Sequence, residues 1–210
     1  RRRHTRLRTV TGVQTCALPI FATAVAAVRR NGALVFVRIN ASDDADVEAS
    51  CRTGADGLYV PKARDPQELR RIAANLDKLE RETGRPPMRF VPMIEDPGAA
   101  FDARAIAGAT PRVLGLCTGG EDMATALGVE PTPEALRFPK MMVHMAAKAC
   151  GVLSLGLIRT VADYRDTEAV AKAAREARDL GFDGASCVHP SSVPILKDRK
   201  STRLNSSHRT

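Results

Sequence analysis

The chain contains no Trp and only 4% aromatic residues, so its core must be built from Val, Leu, Ile, Ala and Met. Aliphatic cores of this kind are common where parallel strands are covered on both faces. No apolar run approaches the roughly 18 residues of a membrane-spanning helix, which predicts no membrane partner. No GxGxxG fingerprint follows the first predicted strand, which disfavours a dinucleotide-binding sheet. The five cysteines, Cys16, Cys51, Cys117, Cys150 and Cys187, include no CxxC pair, and their odd number argues against a disulfide framework. Reduced thiols in a cytoplasmic protein are the expectation.

Charge is present but unevenly placed. The net +8 would suggest nucleic acid as a partner. Residues 1–20 contribute +5 through Arg1, Arg2, Arg3, Arg6 and Arg8, with no acid. Residues 198–210 contribute +3, from Arg199, Lys200, Arg203 and Arg209 against Asp198. The body between them is neutral, so no nucleic-acid partner is expected. The two ends, including VTGVQTCALPI and DRKSTRLNSSHRT, resemble translated sequencing-adapter sequence and show neither helical nor strand periodicity. Residues 1–21 and 198–210 are therefore expected to be disordered artefact, flanking a single domain over 22–197.

Within that body, short apolar runs alternate with amphipathic stretches. Strands are predicted at 33–39, 57–61, 88–94, 112–117, 152–158 and 184–188. Helices are predicted at 22–30, 43–52, 66–82, 97–107, 121–127, 133–150 and 167–180, with a last one starting near Ser191. Asp43 or Ser42 is a plausible cap for the second helix, and Pro97 fits the first turn of the fourth. Strict β–α alternation implies an α/β fold with a parallel sheet and helices outside it. An open doubly wound sheet and a closed barrel both fit six such strands. A (βα)8 barrel needs about 250 residues, so a barrel here would be incomplete, with about six of its eight strands.

Side chains at the C-terminal strand ends of a barrel converge on one mouth. Those ends offer Arg38, Lys62, Glu95, Asp122 and His189. Two carboxylates completed by water and substrate oxygens suit Mg²⁺, and an arginine can fork onto a substrate carboxylate. Blander roles exist for each. Glu95 and Asp122 sit where acids stabilise helix N-termini, and Arg38 could serve a structural ion pair. Lys62 fits a solvated surface position better than a Schiff base, His189 before Pro190 fits a turn, and His144 fits a structural role within a helix. Gly119 and Gly120 suggest a backbone that approaches a ligand closely.

The segments VRIN, GLYVPKA, PMIEDPGA, GLCTGGEDMATALG and GFDGASCVHPSSV, in this order, resemble the HpcH/HpaI aldolase and citrate lyase β-chain family. The resemblance covers residues 33–195. It implies a TIM barrel of the phosphoenolpyruvate/pyruvate-binding kind. By position, Glu95 and Asp122 match the family's metal ligands and Arg38 its carboxylate-binding arginine. Gly120 and Glu121 fall where relatives offer backbone amides to a keto acid. The implied activity is Mg²⁺-dependent cleavage of a citryl-, malyl- or citramalyl-CoA type thioester to acetyl-CoA and a 2-keto acid. Class II aldol chemistry on free 4-hydroxy-2-keto acids, a related thioester hydrolase and an inactive barrel fragment are the alternatives. A homotrimer or homohexamer is implied as well. Three features depart from the family: its LFVPG-type first and LDLED-like second strands are missing, LSLGLIRTVADYRD stands where many members carry an Ile-Asp pair, and the segment after Leu196 that can help cover the site in relatives is expected to be missing.

Overall fold

A computed structural model describes residues 7–11, 23, 25–27, 29, 34–40, 43–160 and 164–197. Its sheet has six strands in the order β1 (Leu7–Thr11), β2 (Leu34–Arg38), β3 (Gly57–Val60), β4 (Arg89–Ile94), β5 (Gly115–Thr118) and β6 (Leu153–Leu155). Every neighbouring pair is parallel, and each strand lies beside the next in sequence. Helices α1 (Asp44–Arg52), α2 (Pro66–Thr83), α3 (Pro97–Phe101), α4 (Ala103–Ala107), α5 (Gly120–Leu127), α6 (Pro133–Ala149), α7 (Thr167–Asp179) and α8 (Ser192–Lys197) fill the connections and the C-terminal end. This is the alternation of a partial (βα) barrel. No helix of the described residues is long and apolar enough to cross a membrane.

The local signals explain the elements. In α2, Asp65 caps the N-terminus by accepting the Gln67 N–H at 2.8 Å, Pro66 opens the first turn, and Gly84 closes the helix at φ 65. Leu69, Ile72, Ala73, Leu76 and Leu79 fall on one face and are buried. Each fully buried leucine there contributes about 1.5–3 kcal/mol relative to exposure. Asp43 caps α1 by accepting the Ala45 N–H at 2.8 Å, and Ser42 lies outside the described residues. All four residues of β3 are buried, as expected for a strand covered on both faces. Two apolar layers result. One lies between the sheet and the helices, and a smaller one gathers Phe36, Tyr59, Val91, Cys117 and Leu155 on the other face of the strands.

Four expectations are corrected. The stretch 1–21 was expected to lack regular structure, yet Leu7–Thr11 is a strand paired with β2 from Leu7↔Leu34 to Thr11↔Arg38. Its Thr-Val-Thr run suits a strand, and β2 would otherwise leave a ladder edge open. Conversely, Gly184–Val188 is not a strand, and only the bridge Leu155↔Gly184 forms, beside a β6 of three residues. The single helix expected over 97–107 breaks at Asp102 (φ −89, ψ 3) into α3 and α4. Last, β5 begins at Gly115, with Val113 reduced to a bridge to Phe90. Of the helix expected at 22–30, Thr23, Val25–Ala27 and Arg29 are helical. The rest of that stretch, residues 1–6, 12–21 and the segment 198–210 lie outside the described residues.

Candidate active site

The C-terminal ends of β2 to β6 meet at one mouth, tied by backbone bonds beyond the strands themselves. Ala63 N–H donates to Met93 O at 3.1 Å, and Gly119 N–H donates to Ile94 O at 3.0 Å. Glu95, the residue after β4, is buried at 4% exposure. Its neighbour Asp96 takes the helix-capping role by accepting the Ala99 N–H at 3.0 Å. The division between adjacent acids is clean: Asp96 stabilises a helix, and Glu95 faces the mouth.

Glu95 Oε2 accepts the Lys62 backbone N–H at 2.5 Å. Lys62 makes that contact from φ 50, a left-handed conformation that is strained for a residue with a side chain. Its contribution to the site is this amide, while its side chain is exposed. Arg38 Nη2 lies 3.9 Å from Glu95 Oε1, and Arg38 Nε is buried without a partner. The Asp122 carboxylate reaches Glu95 from the first turn of α5. Burial pushes the Glu95 carboxyl above its ordinary range, and the Lys62 amide opposes that rise. The charge and hydrogen bond of Asp122 raise it further, and the Arg38 charge lowers it. Two carboxylates in contact, one of them buried, form an anionic pocket that a cation would relieve.

Gly119 is required by close approach, because a Cβ there would stand 2.6 Å from Glu95 Cγ and Oε1. With Gly119 as its cap, α5 starts at the mouth with no side-chain cap, and its first-turn amides have no intrahelical acceptors. Gly120 and Glu121 open that turn. The Glu121 carboxylate accepts the Thr160 hydroxyl from the loop after β6. Arg38, Glu95, Asp122, Gly120 and Glu121 are thus brought together around one rim.

The two histidines stay outside it. His189 lies in an exposed turn, 2.8 Å from Ser191 Oγ and stacked on Tyr164 at 4.4 Å. His144 is buried against Ser154 and Phe182. The residue that strand-end reasoning passes over is Lys140 in α6, buried at 5% exposure. Its Nζ donates to Leu157 O at 2.9 Å and to Arg159 O at 2.8 Å. Burial lowers its pKa to about 8, and Glu121 and Cys117 oppose that shift. The signal was available, since Leu136, Lys140, Val143 and Ala147 share the core-facing spacing of α6.

Among the described residues, no group of three or more His, Cys, Asp or Glu side chains is placed to hold a metal. Glu95 and Asp122 alone fit an ion that binds through one or two carboxylates and completes its shell with water and substrate, as Mg²⁺ does.

Comparison with known proteins identifies the family. The HpcH/HpaI aldolase/citrate lyase family matches residues 16–190. The citrate lyase subunit beta of Escherichia coli K12 is 30% identical over 168 residues, covering 76% of this chain and 55% of its own length. The mitochondrial citramalyl-CoA lyase of Mus musculus is 25% identical over 180 residues, covering 78% and 53%. The chain therefore spans about half the length of these curated relatives. A citrate lyase structure from Burkholderia xenovorans LB400 superposes with a TM-score of 0.70 at 20% identity, covering 91% of this chain and 75% of that one. With the family matched over residues 16–190 on a parallel α/β sheet, the chain belongs to the HpcH/HpaI aldolase/citrate lyase family.

Proposed function

We propose that the chain carries the site of a Mg²⁺-dependent carbon–carbon lyase acting on 3-hydroxyacyl-CoA thioesters of the citryl-, malyl- or citramalyl-CoA type. The observation that supports this most is the pairing of buried Glu95 with Asp122 beside Arg38. Glu95 and Asp122 would hold the ion. When bound, Mg²⁺ supplies Lewis-acid polarisation of the substrate's oxygens.

The chain's own residues do the rest. Arg38, with an unpartnered Nε and a loose 3.9 Å contact to Glu95, is free to turn its guanidinium onto the substrate carboxylate. The Lys62 amide fixes one Glu95 oxygen, so that carboxylate enters the reaction already oriented. The opening amides of α5 face developing negative charge on the keto acid. In the cleavage direction the hydroxyl proton is lost and the C–C bond breaks. Its electron pair passes to the acetyl-CoA carbon, which is then protonated, leaving a 2-keto acid. A cytoplasmic homotrimer or homohexamer is the assembly in which we expect the site to work.

The test is acetyl-CoA release from citryl-, malyl- and citramalyl-CoA, with and without Mg²⁺, using Glu95→Gln as control. Mg²⁺-dependent release that the substitution abolishes supports the reading. No release from any of the three contradicts it, and turnover of free 4-hydroxy-2-keto acids alone would move the activity to the aldolase class.

A further inference from the structure

We propose that Lys140 is a positioning residue, a buried ammonium that clamps the loop after β6 against the turn after β5 and so sets the width of the mouth. The inference deepens the proposed function by naming what holds its rim. Helix α6 crosses from β5 to β6, so Lys140 reaches both strand tops from behind. On the β6 side its Nζ takes two carbonyls, those of Leu157 and Arg159. On the β5 side, a Cβ built at Gly120 would stand 3.3 Å from that same Nζ and 3.1 Å from Leu136. The ammonium is therefore packed directly beneath the residue that opens α5, one turn position from Glu121 and two from Asp122.

A second contact joins the same two segments at the surface, from the Thr160 hydroxyl to Glu121. That contact is exposed to solvent, whereas the Lys140 bonds are sheltered from water. A lysine used only as filler would be outperformed there by methionine, because a buried charge carries a desolvation cost. Two good acceptors on one loop, and contact with the opposite turn, give the charge a reason to be there.

The test is hydrogen exchange on the full chain without ligand, comparing wild type, Lys140→Met, Lys140→Arg and Gly120→Ala. In Lys140→Met, amides of 119–123 and 156–160 should exchange roughly tenfold faster or more, the loss expected for charge-assisted bonds, while α2 and β3 stay protected. Lys140→Arg keeps the cation and should restore much of the protection. Gly120→Ala should loosen 156–160 by displacing Lys140, which keeps the question open to refutation if Lys140→Met does not fold. Unchanged exchange at both segments in Lys140→Met overturns the proposal. So does wild-type exchange at 156–160 in Gly120→Ala, or uniform acceleration across the chain that Lys140→Arg fails to reverse. In turnover, kcat should fall more than KM rises, because the rim is misplaced and not removed. A chain without turnover would count against the lyase reading, while the exchange pattern still decides the role of Lys140.

Discussion

An arginine meets a buried glutamate at both ends of this sheet, with opposite electrostatic outcomes. Near the N-terminal ends of β4 and β5, Arg112 donates to Glu80 at 2.7 and 2.6 Å, to Met88 O at 3.0 Å and also to Asp77. Glu80 takes the Met88 N–H as well, at 2.7 Å. Hydrogen bonding to Glu80 raises the already high Arg112 pKa against the cost of burial. At the mouth, Arg38 stands 3.9 Å from Glu95 with its Nε unpartnered, and the Glu95 carboxyl is raised. One end satisfies its charges internally, and the other leaves them for something still to arrive. Barrels commonly divide stability and function between their two faces in this way.

Breaking the satisfied end should cost most. Arg112→Met leaves Glu80 buried without its partner and should destabilise the fold by about 3–5 kcal/mol. A drop in Tm of roughly 10 °C follows for a chain of this size. Thermal melts check it, and a neutral result would remove the contrast between the two ends.

Arg38→Met should do the reverse. It should lower kcat/KM on the thioester by roughly a hundredfold through loss of the carboxylate contact, and leave Tm nearly unchanged because the side chain is 41% exposed and only loosely paired. Steady-state kinetics beside a melt separates the two effects.

Glu95→Gln should stabilise the metal-free fold. Burial raises the Glu95 carboxyl, so the folded chain holds that proton more tightly than the unfolded chain does. Stability from this group is complete below the ordinary carboxylate range and falls as pH climbs through the raised folded value. At pH 7 the glutamine variant should therefore melt higher than wild type, with the gap closing in acid.

A further pH-dependent effect, confined to alkaline conditions, concerns Lys140. Its pKa is lowered to about 8 from 10.5, so the folded chain loses that proton first. Stability should rise with pH across the window from about 8 to 10.5. Lys140→Met should flatten that rise in melts recorded across the window.

The contrast also marks what the sequence could disclose. That Arg38, Glu95 and Asp122 share one rim was legible because strand ends in a parallel α/β chain must converge, and the five strands from Leu34 to Leu155 follow apolar runs. Capping made α1 legible through Asp43, and amphipathic spacing made α2 legible. The strand at Leu7–Thr11 was not legible, because its pairing depends on the open edge of β2 more than on its own pattern. The strand expected at Gly184–Val188 has the composition but finds only Leu155 beside it. Lys140 was hidden for a related reason. A lysine becomes a clamp only when carbonyls 17 and 19 residues away reach it. Spacing showed that it faces inward and could not show what it meets. The Lys62 amide carried no signal at all, since a φ of 50 is set by the loop around it.

The most direct measurement is Mg²⁺ binding by titration calorimetry, with pyruvate present, on wild type, Asp122→Asn and Arg112→Met. Binding to wild type that is lost in Asp122→Asn and retained in folded Arg112→Met is the expected result. Binding that survives Asp122→Asn unchanged would contradict the metal site at the mouth.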